Sequence, residues 1–321
     1  MSDVKILMCS IPDGDRGPAI GYKRHMASLK DAEGISITEI SEEILKDKTS
    51  MSQFDVFWFY VRFDPRLYNY IYQNFSKKIF WVGPNVLLEK AEIGPSDPWE
   101  KYFVDNIKTD LYSNVAQYYL DRVGQFYTGS SCMVELPYCI DAQEYEIFEK
   151  NKNLVDRAID VLVYSKKRRI DKQFENLYPR FIDNLEKSGL EYEVIEYGSH
   201  TREQFLSMTA DSKCCVWFSI EDYCSNAQLE AMLMGCPIVG TKYNLTHTFD
   251  ESFLVDGQNM STSNWITWKD EIPALYMKGT QKVLKNLKNI NEKPRQYVID
   301  NHGPKAYSSK VRTILSSVVS K

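Results

Sequence analysis

The hydrophobic positions of the chain fall into short, nearly continuous runs separated by amphipathic stretches. Three runs in the first half are Val4–Ser10 (VKILMCS), Phe54–Tyr60 (FDVFWFY) and Lys78–Val82 (KIFWV). Their length and composition are typical of strands that are buried on both faces. Helical spacing occupies about Ala19–Leu29 and Pro65–Phe75, between these runs. Because strands alternate with helices, the pattern predicts a parallel α/β sheet.

The first half ends with two more helical patterns and a short strand, and the alternation then restarts. The predicted elements are helices at Trp99–Ile107 and Val115–Val123 and a strand at Met133–Leu136. In the second half the strands are Asp160–Tyr164, Tyr192–Tyr197, Lys213–Phe218 and Pro237–Gly240, and the helices are Asp171–Lys187, Thr201–Ser207, Ile272–Asn289 and Tyr307–Val319. The charged stretch Glu144–Asp156 is interpreted as the connection between two domains, which span residues 1–145 and 155–300.

Composition narrows the class of protein. The chain has 321 residues, a net charge of -5 and a pI near 5.6, which argues against a dedicated nucleic-acid binder. No apolar run approaches the roughly 20 residues of a membrane helix, and no N-terminal signal is visible. The seven cysteines form no CxxC pair, and Cys214 and Cys215 lie within an apolar strand. We therefore expect a cytoplasmic protein with reduced, buried thiols.

The stretch Ser219–Thr241 carries the densest set of signals. After the strand Lys213–Phe218 it supplies an acidic turn, and Ser225 with Gln228 forms the pattern of a helix capping box. Gly235 suits a left-handed helix end, and Pro237 cannot continue a helix. A strand followed by a loop and a helix N-terminus is where open α/β sheets bind ligands.

Two carboxylates flank this helix start. Asp222 lies on the loop, and Glu230 lies within the first turns of the helix. Helical side chains lean toward the N-terminus, so Glu230 can face the same opening as the backbone N–H groups around Ser225 and Asn226. The N–H groups can bind a phosphate, and the two carboxylates can accept hydrogen bonds from hydroxyl groups. This combination suits a nucleotide sugar. The alternative is a solvated acidic turn followed by an ordinary surface glutamate.

The same stretch resembles the signature of retaining glycosyltransferases of the GT-B fold, glycosyltransferase family four. That signature is an acid, seven residues, Glu-Ala-Met or Glu-Ala-Leu, a short gap and Gly-x-Pro. Here it stands as Asp222, Glu230-Ala231-Met232, Gly235 and Pro237. The first acid is usually Glu in the family, whereas this chain has Asp222. The resemblance implies two Rossmann-like domains with parallel sheets facing across a cleft, and a terminal helix (301–321) that returns toward the first domain.

The resemblance also implies roles for three loops. In the basic run after Asp160–Tyr164, Lys167 and Lys172 match the spacing of the family's diphosphate clamp, with Arg168 as the alternative for the first position. Gly198, Ser199 and His200 correspond to the loop that holds the nucleobase, and Gly17 matches a glycine of the first loop. Without the resemblance, the basic run is a solvated turn or a nuclear signal, and His200 is a structural loop histidine.

The implied function is transfer of a sugar from a UDP- or GDP-linked donor to a hydroxyl acceptor, such as a glycan, with retention of anomeric configuration. Asp222 would position the donor sugar, Glu230 would bind ribose hydroxyls, and no cofactor or catalytic metal would be required. One alternative is a non-catalytic nucleotide-sugar-binding or scaffold protein on the same fold. Another is a metal-dependent transferase of the other large transferase fold, which would bind a divalent ion at Asp13 and Asp15, although turn chemistry is the favoured interpretation of this Asp-Gly-Asp in the first loop. His25 and His302 show no metal spacing and are expected to be structural.

Overall fold

The structure is a computed structural model, and its chain forms two units. By contacts, residues 1–139 and 302–321 form the first unit, and residues 140–301 form the second. The residues described are 3–12, 17–30, 32–61, 63–83, 98–115, 120–121, 123–148, 153–166, 174–218, 226–240, 272–290 and 292–319.

Parallel strands form a sheet in each unit. The strands are β1 Val4–Met8, β2 Ile35–Glu39, β3 Val56–Tyr60, β4 Lys78–Val82, β5 Leu111–Asn114, β6 Met133–Glu135, β7 Ile159–Ser165, β8 Tyr192–Glu196, β9 Ser212–Phe218 and β10 Ile238–Val239. The first sheet has the order β2-β1-β3-β4-β5-β6, and the second has the order β10-β9-β7-β8. Every described pairing is parallel.

Helices connect these strands, as parallel pairing requires. They are α1 Gly17–Lys30, α2 Glu42–Lys46, α3 Lys48–Ser52, α4 Pro65–Asn74, α5 Pro98–Asn106, α6 Phe174–Ser188, α7 Arg202–Ala210, α8 Asn226–Leu233, α9 Ile272–Lys285, α10 Leu287–Ile290, α11 Lys293–His302 and α12 Pro304–Val319. Short 3-10 segments lie at Ala142–Phe148 and Leu154–Asp156. In the described part of the chain, the search for a helix with the length and apolarity of a membrane span found none.

Alternation along β3 divides the first unit into two core layers. Trp58 and Tyr60 pack with residues of α1 and α12 on one face, whereas Phe57 and Phe59 pack toward α4 and α5 on the other. All four side chains are at most 5% exposed. Since burial of one such ring contributes on the order of 2 kcal/mol, the four rings together contribute about 8 kcal/mol to the unit's apolar stabilisation.

The second unit repeats this arrangement on a smaller sheet. Val161, Val163 and Val216 form one core layer with residues of α6 and α9. On the opposite face, Tyr164 stacks on Trp217 with ring centroids 4.0 Å apart and planes 10° apart. The predicted buried thiols are confirmed, because Cys214 and Cys215 are both fully buried and unpaired.

Most predicted elements are confirmed within a few residues, and five were missed. The missed elements are β2, α2, α3, β5 and α11. Strand β2 is an edge strand in which apolar and polar residues mix (ISITE), and β5 is a short strand with polar residues (LYSN), so neither shows a dense apolar run. The predicted loop Pro84–Pro98 and part of the helix Val115–Val123 lie outside the described residues.

His25 is buried in the first unit, as expected for a structural histidine. Its Nδ1 is hydrogen-bonded to the Tyr307 hydroxyl, and its ring meets Trp58 edge-on at 4.8 Å. Its Nε2 is buried, with no hydrogen-bond partner within the described ranges. Burial disfavours the charged imidazolium and lowers the pKa of His25 from 6.5 to about 3. The ring therefore joins α1 to α12 as a neutral group.

This neutral histidine predicts a loss of stability in mild acid. Below pH 6.5 the unfolded chain binds a proton at His25, while the folded chain does not until about pH 3. The free energy of unfolding should therefore fall by about 2 kcal/mol between pH 7 and pH 5 from this group alone. Urea unfolding of the wild type and of His25→Gln at both pH values measures the difference.

The glutamine cannot titrate, so its stability should depend less on pH than that of the wild type, whatever its absolute stability. His200→Gln is the control, because the His200 ring is partly exposed. An identical pH dependence in the wild type and in His25→Gln would contradict the prediction.

Candidate functional site

The order of the second sheet places a ligand-binding position between two strands. Strand β7 lies between β8 and β9, so the connection after β7 leads to β8 on one side, whereas the connection after β9 leads to β10 on the other. At the carboxyl ends, Ser165 of β7 pairs in register with Phe218 of β9. The Lys166 amide also donates to the Phe218 carbonyl, at 3.2 Å. Open α/β sheets bind ligands in the crevice at such a topological switch point.

The predicted signature helix follows directly from this edge. Helix α8 begins at Asn226, and its residues Gln228–Leu233 are all buried. Gly235 ends it with a positive φ of 72°, the left-handed conformation predicted for it. The Gly235 amide donates to the Met232 carbonyl at 2.9 Å, and the Cys236 amide donates to the Ala231 carbonyl at 3.0 Å. This pair of bonds is a Schellman motif, so the predicted helix end is confirmed.

A buried arginine fixes the position of that helix end. Arg157, which is 8% exposed, donates from Nη2 to the Met234 carbonyl at 2.7 Å. Its Nη1 donates to the carbonyls of Thr209 and Ser212, at 3.1 and 2.9 Å. Burial lowers the pKa of the Arg157 guanidinium. One side chain thus joins the end of α7, the start of β9 and the end of α8.

Glu230, the predicted ribose contact, lies on the fixed helix and is 7% exposed. Its Oε1 accepts hydrogen bonds from the Tyr145 hydroxyl at 2.8 Å and from Arg202 Nε at 3.1 Å. Arg202 Nη2 also donates to the Tyr145 hydroxyl at 2.6 Å. These three hydrogen bonds link the three side chains in a closed triangle. We name this set, Tyr145, Arg202 and Glu230, the Glu230 triangle.

Two members of the triangle were not anticipated from the sequence. Tyr145 lies on the 3-10 segment and is fully buried, and Arg202 is the first residue of α7. Helix α7 has a full capping box, in which Thr201 and Gln204 satisfy each other's backbone N–H groups. A cation in the first turn opposes the helix dipole. The signal that could have indicated Arg202 was therefore a basic residue directly after a capping threonine.

The predicted nucleobase loop is held against its own strand. Gly198 has a φ of 90°, which favours glycine. The Ser199 amide and hydroxyl both donate to the Glu196 carbonyl, at 3.1 and 2.7 Å. His200 Nδ1 lies 2.8 Å from the same oxygen. Because a carbonyl can only accept, Nδ1 is the donor in this contact.

An exposed aromatic ring stands beside this loop. Tyr197 is 62% exposed, and its amide donates to the Ser165 carbonyl at 2.8 Å. The Lys166 ammonium lies 4.7 Å from the centre of the Tyr197 ring. A cation and an open aromatic face therefore lie together at the carboxyl ends of β7 and β8.

Several predicted site residues lie outside the described residues, and their roles stay predictions. These are Lys167, Arg168, Lys172, Asp222 and Ser225, together with Asp13 and Asp15. The sheet fixes where their segments start: residues 167–173 follow the end of β7, and residues 219–225 follow the end of β9. These two strand ends are neighbours at the switch point.

Two further predicted residues are described. Asn226 opens α8, and its Oδ1 is buried, with no hydrogen-bond partner in the described part of the chain. Gly17 opens α1 in the first unit. Among the described side chains, no group of three His, Cys, Asp or Glu could hold a metal ion.

Comparisons with known proteins give matches in structure alone. No protein-family model and no curated protein matches the sequence. HepE from Anabaena, solved in complex with UDP-glucose, is 12% identical with a TM-score of 0.58, over 98% of this chain and 99% of HepE. Sucrose-phosphate synthase from Thermosynechococcus elongatus is 11% identical with a TM-score of 0.55, over 98% and 99%. A putative UDP-N-acetylglucosamine 2-epimerase from Listeria monocytogenes is 13% identical with a TM-score of 0.53, over 100% and 98%.

At this identity the likeness is one of fold. It extends over nearly the whole chain, so both Rossmann-like units are included. The predicted fold class, GT-B with parallel sheets in two Rossmann-like units, is confirmed.

The contacts of Arg157 predict a large loss of stability when the guanidinium is removed. Arg157→Met keeps the side-chain length but leaves three buried carbonyls without their donor. Each unsatisfied carbonyl costs about 1 kcal/mol or more, so we expect the free energy of unfolding to fall by about 3 kcal/mol. Chemical denaturation at neutral pH measures this change.

Arg312→Met in the first unit is the matched control. Arg312 is half exposed and lies 3.7 Å from the exposed Glu33, so its loss should change stability by less than about 1 kcal/mol. Equal effects of the two substitutions would show that the Arg157 contacts do not stabilise the fold.

Proposed function

We propose that the chain is a glycosyltransferase that moves a sugar from a UDP- or GDP-linked donor to an acceptor hydroxyl, of a glycan or another molecule, with retention of configuration. The observation that carries the proposal is the position of Glu230. This carboxylate lies on the helix that follows the switch-point strand β9, within a Glu-Ala-Met, Gly, Pro segment whose helix ends at Gly235 in the left-handed conformation.

The second unit also carries groups that are complementary to a nucleotide diphosphate. The amino end of α8 is a favourable place for negative charge. The Tyr197 ring with Lys166 offers a face and a cation near the predicted nucleobase loop. Glu230 supplies a carboxylate on this helix, and a carboxylate is a strong acceptor for the hydroxyl groups of a ribose.

The residues outside the described ranges complete the proposed mechanism. The bond between the anomeric carbon and the diphosphate breaks, and Lys167 and Lys172, or Arg168, stabilise the negative charge that develops on the leaving group. The acceptor hydroxyl attacks from the face that the diphosphate leaves, and its proton passes to a donor phosphate oxygen. Asp222 positions the donor sugar. This sequence of steps needs no catalytic metal.

The ligands in solved structures of this fold support the proposal of a nucleotide-sugar ligand. HepE was solved with UDP-glucose and, separately, with UDP and glucose. An α-glucosyltransferase with a TM-score of 0.52 and 10% identity was solved with UDP and a DNA 13-mer. Because the epimerase named above shares this fold, conversion of a nucleotide sugar to its epimer is a second reaction to test.

The proposal predicts that UDP or GDP stabilises the protein and that Glu230→Gln weakens this binding about tenfold. The reason is that a charged acceptor for ribose hydroxyls is replaced by a neutral amide. A thermal-shift panel of nucleotide diphosphates and their sugars identifies the ligand, and titration calorimetry measures the affinity. At about 100 times its dissociation constant a ligand stabilises by about 2.7 kcal/mol, which is readily observed.

Glu203→Gln is the matched control, because Glu203 is an exposed carboxylate in the first turn of α7. If no nucleotide binds, the proposal is wrong. With a nucleotide sugar that binds, release of nucleotide without acceptor supports transfer chemistry. A binder that never releases nucleotide would instead be a non-catalytic protein, and conversion of the sugar to its epimer would indicate an epimerase.

A further inference from the structure

Arg202 occupies a position that its own helix does not explain. It is the first residue of α7, where the helix dipole disfavours a cation, and the Thr201–Gln204 capping box already satisfies the backbone N–H groups of these two residues. Its side chain is still 41% exposed, so burial of its stem does not account for the position either. Its described partners are all on other elements.

Those partners converge on one carboxylate oxygen. Arg202 Nε donates to Glu230 Oε1 at 3.1 Å, and the Tyr145 hydroxyl donates to the same oxygen at 2.8 Å. The Arg202 guanidinium also lies over the Tyr145 ring, 5.0 Å from its centre. The planar fork of arginine can serve two acceptors at once in a fixed geometry, which an ammonium group cannot do.

A second carboxylate competes weakly for the same guanidinium. Glu144 Oε2 lies 3.5 Å from Arg202 Nη2, and its side chain is 38% exposed. The contacts to Glu230 and Tyr145 are shorter, and both of these side chains are almost fully buried. The guanidinium is therefore oriented mainly by the buried pair.

We propose that Arg202 and Tyr145 are positioning residues that hold the Glu230 carboxylate in the orientation needed to read the ribose hydroxyls of the nucleotide. The proposal rests on the proposed function and deepens it, because it assigns the ribose selectivity of the site to the Glu230 triangle. The two donors approach Oε1 from different elements, and they limit the rotation of the carboxyl group. Orientation is achieved before the ligand arrives, so binding does not have to order a flexible glutamate.

The test compares UDP with 2′-deoxy-UDP and 3′-deoxy-UDP by titration calorimetry. The wild type should bind UDP about tenfold more tightly than at least one of the deoxy analogues, since the loss of a hydroxyl leaves a charged acceptor without its donor. Arg202→Ala should reduce this ratio to about two, and Tyr145→Phe should reduce it by less. Arg202→Lys restores the charge without the fork, so its ratio should lie between those of the wild type and Arg202→Ala.

A double-mutant cycle with Glu230→Gln separates positioning from general destabilisation. If Arg202 acts through Glu230, Arg202→Ala combined with Glu230→Gln should bind UDP no more weakly than Glu230→Gln alone. Lys187→Ala is the control, because Lys187 forms an exposed ion pair with Asp183 in the same unit, at 2.5 Å. It should leave both the UDP affinity and the ratio unchanged.

The outcomes distinguish this inference from the proposed function. If the wild type binds UDP and discriminates against a deoxy analogue, but Arg202→Ala keeps the same ratio, the inference is wrong and the nucleotide site stands. If the wild type binds UDP and the deoxy analogues equally, Glu230 does not read the ribose and the inference is again wrong. If the wild type binds neither UDP nor GDP, the proposed function is wrong and the inference falls with it. If it binds GDP alone, the deoxy analogues of GDP replace those of UDP, and the same ratios decide the inference.

Discussion

The second unit depends on the buried guanidinium of Arg157, a cation in a part of the protein from which water is excluded. Arg157 is almost fully buried, and the removal of a guanidinium from water costs several kcal/mol unless the protein replaces its hydration. Three carbonyls replace it at Nη1 and Nη2, and two of them belong to the carboxyl-terminal ends of α7 and α8, where helix dipoles favour positive charge. The same bonds satisfy carbonyls that the helices leave without partners. The ends of two helices and the start of β9 are therefore positioned by one side chain.

Because the ends of α7 and α8 are held in place, the side chains that these two helices carry are positioned as well. Helix α8 carries Glu230, and α7 carries Arg202 at its first residue. Two short, rigid elements bring the carboxylate and the guanidinium within 3.1 Å of each other. The unfavourable position of a cation at the start of α7 is thereby offset by a buried acceptor. Stability and the proposed ligand chemistry thus rest on the same pair of helices.

Local patterns predicted most of the fold because they report local physics. Dense apolar runs such as that of β3 must be buried on both faces, and Gly235 before Pro237 ends a helix whatever surrounds it. The same reasoning missed β2 and β5, because these strands owe their conformation to pairing with neighbours rather than to their own hydrophobicity. In the site, the Glu-Ala-Met segment identified Glu230 but gave no information about its partners.

The sequence by itself determined the alternation of strands and helices and the left-handed end of the signature helix, and the resemblance of that segment to a known family indicated the GT-B fold class. The folded chain decided how the signature glutamate is held. Tyr145 and Arg202 are separated from Glu230 by 85 and 28 residues, and no periodicity links positions so far apart. Arg157 likewise contacts carbonyls 52 to 77 residues away. Such contacts follow from the order of strands in the sheet, which brings distant helix ends together, and the order of strands is a property of the packed structure.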